Sequence, residues 1–159
     1  MTVRPRRGTS ADLPVLVRIW RRAVEATHDF LTPEDVDRYE RVVLDALPVL
    51  EVTVAECDGR TVGFAATDGG RVEMLFVDPS AHRRGVGALL LARATAGRSE
   101  VEVDVNEQNP GARRFYARLG FREVGRSALD GEGRPFPLLH LRRDGAAAQP
   151  PATRRSTKR

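Results

Sequence analysis

Lysine is almost missing from this sequence. Lys158 is the only one, and arginine carries all the other basic charge, which reads as compositional bias and not as a binding device. One cysteine, Cys57, rules out an intrachain disulfide and makes the cytoplasm the expected compartment. No apolar run is long enough to span a bilayer and no signal-peptide pattern is present, so no membrane partner is expected. No set of histidines and cysteines has metal-ligand spacing, so no metal is expected either. Excess positive charge is also scarcer than the formal net charge of +4 suggests. Residues 144–159 carry Arg154, Arg155, Lys158 and Arg159 against Asp144, a net +3, which leaves +1 for the rest. A near-neutral body without a recognised nucleic-acid motif argues against a nucleic-acid partner.

The 159 residues suit one domain with a single core, and 41% hydrophobic with 30% charged content suits a globular chain. The domain is expected over residues 1–143, with a disordered basic tail over 144–159, where Ala, Pro, Thr and Arg dominate. Thr2 to Arg6 reads as a first strand. A helix capped by Thr9 or Ser10 runs to about Thr27, with Leu13, Leu16, Trp20, Ala23 and Val24 on one face. After a break at 28–31, Thr32 is placed to cap a second helix with Pro33 at its first position, and Pro48 closes that region. Strands around Val52 and Val54, from Val62 to Thr67 and from Val72 to Val77 are joined by Asp58-Gly59 and Asp68-Gly69-Gly70 turns. A helix from Gly87 to Ala96, a strand from Glu100 to Val105 and a helix from Pro110 to Leu119 follow. Phe121 to Ser127 and Phe136 to Leu141 close the order as strands. The expected class is α/β (α+β), with helices crossing a mixed sheet.

The stretch R-V-E-M-L-F-V-D-P-S-A-H-R-R-G-V-G, residues 71–87, runs from an apolar strand through a turn into a helix. Glycines at a helix entry aim backbone N–H groups at a phosphate. The loop lacks the Gly-Lys-Ser/Thr ending of a P-loop and a complete Gly-x-Gly-x-x-Gly, so neither triphosphate hydrolysis nor dinucleotide binding is indicated. A second motif, N-x-x-A-x-x-F-Y-x-x-x-G-F from Asn109 to Phe121, follows the strand that ends at Val105.

Together these two segments resemble the GNAT superfamily of acetyl-CoA-dependent N-acetyltransferases. The resemblance extends over about residues 3 to 142. A-T-H-D-F-L at 26–31, V-N-E-Q-N at 105–109 and R-P-F-P-L-L at 134–139 are similar to a short bacterial branch labelled peptidyl-lysine acetyltransferases. The resemblance implies a mixed sheet of about seven strands, splayed in the middle, with four flanking helices. It implies acetyl-CoA as cosubstrate and an amine acceptor, either a lysine or N-terminus of a peptide or protein, or a small amine. The oligomeric expectation is monomer or homodimer.

Site roles follow from the resemblance. Pantetheine would pair with strand backbone at Leu75, Phe76 and Val77, and the Val77 N–H would receive the oxyanion. Pyrophosphate would sit on the amides of Arg83, Arg84, Gly85, Val86, Gly87 and Ala88, where the helix dipole adds positive potential. Asn109 would cap the next helix and hold the pantetheine from the other side. The family usually has Arg or Gln where this chain has His82, and often Gly where it has Arg83. His82 is counted with the cofactor-binding loop and reads as an exposed loop residue, not a catalytic one, while the Arg83 or Arg84 guanidinium can meet a phosphate. Tyr116 matches the general-acid tyrosine that protonates the departing thiolate. Glu73, expected to share a face with Leu75 and Val77, and Asp104, on the opposite wall, are the candidate bases; each can also read as an exposed strand carboxylate. His28, Asp29 and Phe30 are expected in the acceptor pocket, with local capping as the competing reading. His140 reads as a satisfied strand residue and Cys57 as a turn residue. A non-catalytic acyl-CoA sensor on the same fold is the alternative class, and retention of Asn109 and Tyr116 argues against it.

Overall fold

The computed structural model describes residues 2–144. Residues 145–159 of the expected tail lie outside the described residues. The strands are β1 (Val3–Arg7), β2 (Glu51–Cys57), β3 (Arg60–Asp68), β4 (Arg71–Val77), β5 (Glu100–Asn106), β6 (Arg122–Ser127) and β7 (Leu138–Asp144). The α-helices are α1 (Leu13–Thr27), α2 (Pro33–Ala46), α3 (Val86–Ala94) and α4 (Pro110–Arg118). The element order is the one read from the sequence. The seven strands form one sheet in the order β1-β2-β3-β4-β5-β7-β6, and only β4 and β5 are parallel.

The two faces carry different helices. Val54 and Ala55 are neighbours on β2 and point to opposite sides. Val54 joins Phe64, Met74 and Phe76 under α1 and α2, through Leu16, Ile19, Trp20, Val24, Val36 and Val43. Ala55 joins Val62, Ala65, Val77 and α3 residues Val86 and Leu90. Leu91 of α3 continues that side into a third cluster with Val101, Val103, Val105, Leu139 and Leu141, covered by Tyr116 of α4. Along β5 burial alternates residue by residue. Its other face therefore presents Glu102 and Asp104, both half-buried, and among the described residues no α-helix covers it as α4 covers the valine face.

Caps set the helix starts. Thr32 Oγ1 accepts from the Asp35 N–H at 3.1 Å, and Asp35 returns the bond to the Thr32 N–H at 3.0 Å. Asp12 does the same for Thr9 and is held by a two-pronged pair with Arg6 at 2.8 and 3.0 Å.

Three sequence expectations shift. β7 begins at Leu138, not Phe136, because Pro135 and Pro137 have no N–H for the ladder. It runs through Asp144, one residue past the expected domain boundary. Cys57 is not in a turn: it ends β2 and is buried. Among the described residues no helix is long and apolar enough to cross a membrane.

Candidate active site

β4 and β5 pair only where the start of β4 meets the middle of β5, Arg71 with Glu102 and Val72 with Val103. Beyond that they part, which gives the expected splay. The Asp78 N–H bonds the Val62 carbonyl at 2.8 Å on the β3 side. Backbone groups alternate along a strand, so Phe76 also faces β3, and the N–H and C=O of Leu75 and Val77 face the gap.

The loop after β4 leads straight to a helix end without a cap. Asp78 accepts from the Ser80 N–H at 2.9 Å and is gripped by Arg22 of α1 at 3.0 Å, which fixes the D-P-S turn. Arg83 (φ +65°) and Gly85 (φ +75°) are left-handed, and Gly85 is the N-cap of α3. Glycine has no side chain to close the helix, so among the described residues the first-turn amides of Val86, Gly87 and Ala88 have no intrahelical or side-chain acceptor. Left-handed geometry at Arg83 is the conformation that favours glycine, the residue the family resemblance led one to expect there. A Cβ on Gly87 would lie 3.2 Å from the Phe115 ring and 3.8 Å from Val77 Cγ2. The uncapped amides, the open edge at Val77 and the start of α4 thus adjoin one another.

On the far side of the gap Asn109 caps α4, accepting from the Ala112 N–H at 3.1 Å. Tyr116, one helical residue past Phe115, is 6% exposed and meets Phe115 and Phe121 edge-on at 5.0 and 5.2 Å. Burial pushes its phenol above the usual value.

A family model described as the acetyltransferase (GNAT) domain matches residues 21–136. The chain belongs to the GNAT family. It is 41% identical to the peptidyl-lysine N-acetyltransferase YjaB of Escherichia coli, over 92% of this chain and 100% of that one. To the protein of the same name from Salmonella typhimurium it is 39% identical, over 89% and 98%. The solution structure of apo YjaB from Escherichia coli superposes with a TM-score of 0.84, at 39% identity, over 92% of this chain and all of that one. The PaiA N-acetyltransferase from Thermoplasma acidophilum, solved with coenzyme A, shares the fold at a TM-score of 0.72 and 19% identity, over 91% and 99%. With those relatives the chain is an N-acetyltransferase, an enzyme of the acyltransferase class.

The GNAT frame places the two candidate bases side by side, but not as expected. Thr67 pairs with Val72 and Ala66 with Met74, so Glu73 is the extra residue of a β-bulge. The bulge breaks the alternation. Glu73 does not share the face of Leu75 and Val77, and instead meets Arg71 at 3.2 Å. Arg71 also holds Asp104 at 2.6 Å. Asp104 in turn holds His140 and is half-buried, whereas Glu73 is an exposed strand carboxylate, as the competing reading had it, paired with Arg71.

Two distant segments meet around the residues expected for the acceptor pocket. His28 is half-buried, bonded at Nδ1 to Thr27 Oγ1 at 2.7 Å, and tilted against Phe30 at 5.3 Å. Burial lowers its pKa, opposed by Asp29, so the neutral ring is favoured. Phe30 meets Phe136 of the β6–β7 loop at 5.4 Å. Asp29 is exposed. The loop is strapped down by Arg134 on Asp35 at 2.5 Å and by Tyr39 donating to Asp130. Asp130 also accepts the N–H groups of Glu132 and Arg134, each at 2.9 Å. Sequence reasoning missed Tyr39, Asp130, Arg134 and Phe136 as site-framing residues. The D-G-E-G turn was visible, but its partner helix lies about ninety residues upstream. His82 is exposed and extended at the end of the turn. Arg83 and Arg84 are exposed too, on the rim of the uncapped helix end. Among the described residues no group of three or more His, Cys, Asp or Glu could hold a metal ion.

Proposed function

We propose that this GNAT enzyme moves the acetyl group of acetyl-CoA directly onto the side-chain amine of a lysine in a peptide or protein. One observation carries the reading: the uncapped start of α3 adjoins an open β4 edge whose Val77 N–H points into the β4–β5 gap. Pyrophosphate fits the amides at 83–88, with Arg83 and Arg84 on the rim. Pantetheine fits along the open edge at Leu75 and Val77; the Phe76 backbone, expected to pair with it too, faces β3 instead. The buried Asn106 Oδ1, which has no hydrogen-bond partner among the described residues, offers an acceptor for a ligand N–H at the end of β5.

The reaction needs a neutral amine, a donor for the tetrahedral oxyanion and a proton for the thiolate. The Val77 N–H is the donor. Tyr116 gives the proton, and its raised pKa keeps it protonated across the working range. Glu73, Asp104 and Glu102 around Arg71 leave this wall acidic overall, which attracts a cationic acceptor. His28, Asp29 and Phe30 form the opposite wall. The lysine acceptor is supported by the relatives named as peptidyl-lysine acetyltransferases at about 40% identity.

The test is turnover of acetyl-CoA on an acceptor panel of lysine peptides, N-terminal amines and small amines, with mass spectrometry of the product. Acetylation of lysine peptides above the other classes supports the reading. Acetyl-CoA binding without turnover on any acceptor sinks it in favour of a sensor.

A further inference from the structure

Three strands of the uncovered face bring together Asp104 (β5), His140 (β7) and Ser127 (β6). Asp104 Oδ1 lies 2.7 Å from His140 Nδ1, and His140 Nε2 lies 2.7 Å from Ser127 Oγ. Asp104 Oδ2 is held by Arg71 at 2.6 Å. An ionised carboxylate only accepts hydrogen bonds, so Nδ1 must carry the imidazole proton. Neutral Nε2 then has a lone pair and accepts from the Ser127 hydroxyl. The tautomer is fixed by its partners, as in a serine–histidine–aspartate chain.

The position suits the chemistry. Asp104 is the first β5 residue past the last β4–β5 pair, and β7 pairs His140 directly opposite it. Ser127 is the last residue of β6, at the root of the β6–β7 loop that reaches α2 and Phe30. Gly125 leaves room for the ring: a Cβ there would lie 3.2 Å from His140 Cδ2. Arg71 and Glu73 from β4, Glu100 and Glu102 from β5, Arg122 from β6 and Arg142 and Asp144 from β7 are further charged groups around this face. Arg126 of β6 is turned to Glu107 at 2.7 Å.

We propose that His140 is the proton acceptor of the reaction, reached through Ser127 and positioned by Asp104. This rests on the acetyl-transfer reading above. The acceptor ammonium gives one proton to Ser127 Oγ while the Ser127 proton passes to His140 Nε2. The imidazolium is stabilised by Asp104 and returns the proton to solvent. The freed amine forms the C–N bond, the C–S bond breaks, and the thiolate takes the Tyr116 proton. Tyr116 recovers a proton from the nitrogen of the adduct. The sum is ammonium plus acetyl thioester giving amide, thiol and one released proton.

The experiment measures kcat/KM against pH for the full chain with acetyl-CoA and a lysine peptide. Wild type is expected to show an acidic limb, where the proton acceptor is already protonated. His140→Gln should abolish that limb and lower kcat by about 100-fold or more, with the KM for acetyl-CoA unchanged. Ser127→Ala should cost less, because water can replace the hydroxyl. Gly125→Ala keeps the imidazole but displaces it, so kcat should fall while the limb remains. Nitrogen-15 NMR of the histidine rings gives a readout without turnover: the Nδ1–H tautomer of His140 in wild type, lost in Asp104→Asn. A His140→Gln enzyme with the limb intact, or kcat within twofold of wild type, overturns the inference alone. The other tautomer in wild type does the same. No wild-type turnover on the whole panel overturns both this inference and the acetyl-transfer reading.

Discussion

Replacing Tyr116 by phenylalanine separates chemistry from packing. The ring stays, and with it the edge-on contacts to Phe115 and Phe121 at 5.0 and 5.2 Å. Among the described residues none hydrogen-bonds the Tyr116 hydroxyl, so its removal strands no partner. Losing a hydroxyl that bonds no described residue leaves stability within about 1 kcal/mol of wild type. The transition state responds differently. A positioned general acid contributes about 10²–10⁴ in rate, or about 2.7–5.5 kcal/mol of barrier. The expected variant has kcat down by at least about 100-fold, an acetyl-CoA KM within twofold, and a nearly unchanged Tm. Continuous detection of the CoA thiol gives the rates, and thermal unfolding by circular dichroism gives stability. Because burial holds the phenol above its ordinary value of about 10, wild type should lose no rate to Tyr116 ionisation below that pH. A kcat within twofold of wild type would refute the assignment. A fall in kcat matched by a large fall in Tm would show that the hydroxyl is structural.

Gly87→Ala places a methyl 3.2 Å from the Phe115 ring; about 1 kcal/mol of destabilisation and weaker acetyl-CoA binding are expected by urea melts and calorimetry. Arg83→Gly relieves a left-handed residue worth about 1–2 kcal/mol but frees the unfolded chain by about 0.4–1 kcal/mol, so stability should change little or rise slightly while acetyl-CoA affinity falls. Arg134→Ala releases the β6–β7 loop from Asp35, so the KM for the peptide should rise several-fold with the acetyl-CoA KM unchanged. The Arg6 guanidinium holds Asp12 below the ordinary carboxylate range, as the Thr32 N–H and then Arg134 do for Asp35, and Arg126 for Glu107. Lowered folded-state values mean that their stabilisation is complete above about pH 4 and is lost as pH falls through them. Tm should therefore drop steeply below pH 4, and Arg6→Gln should flatten that drop.

Local signals carried much of the site. The Thr32–Asp35 capping box, the glycines before α3 and the Asn109 cap each act within a few residues, so the sequence shows both the chemistry and its place. Even the splay was implied by a family whose motifs are contiguous. Face assignments were less secure, because they assume unbroken alternation. One extra residue at Glu73 turned that carboxylate toward Arg71 and away from Leu75 and Val77. The prolines flanking Phe136 were visible, yet a period-two reading still began β7 two residues early.

The sequence alone determined the order of elements, the glycine-capped start of α3 and the acetyltransferase family, because each is written in short-range patterns of glycine, caps and apolar spacing. Only the tertiary structure decided which side chains meet across strands. Asp104 and His140 are 36 residues apart, and Arg134 and Asp35 are 99 apart. Their contact depends on register and on a loop crossing to α2, and strand register is fixed by the packing of the whole sheet, not by any segment that contains those residues.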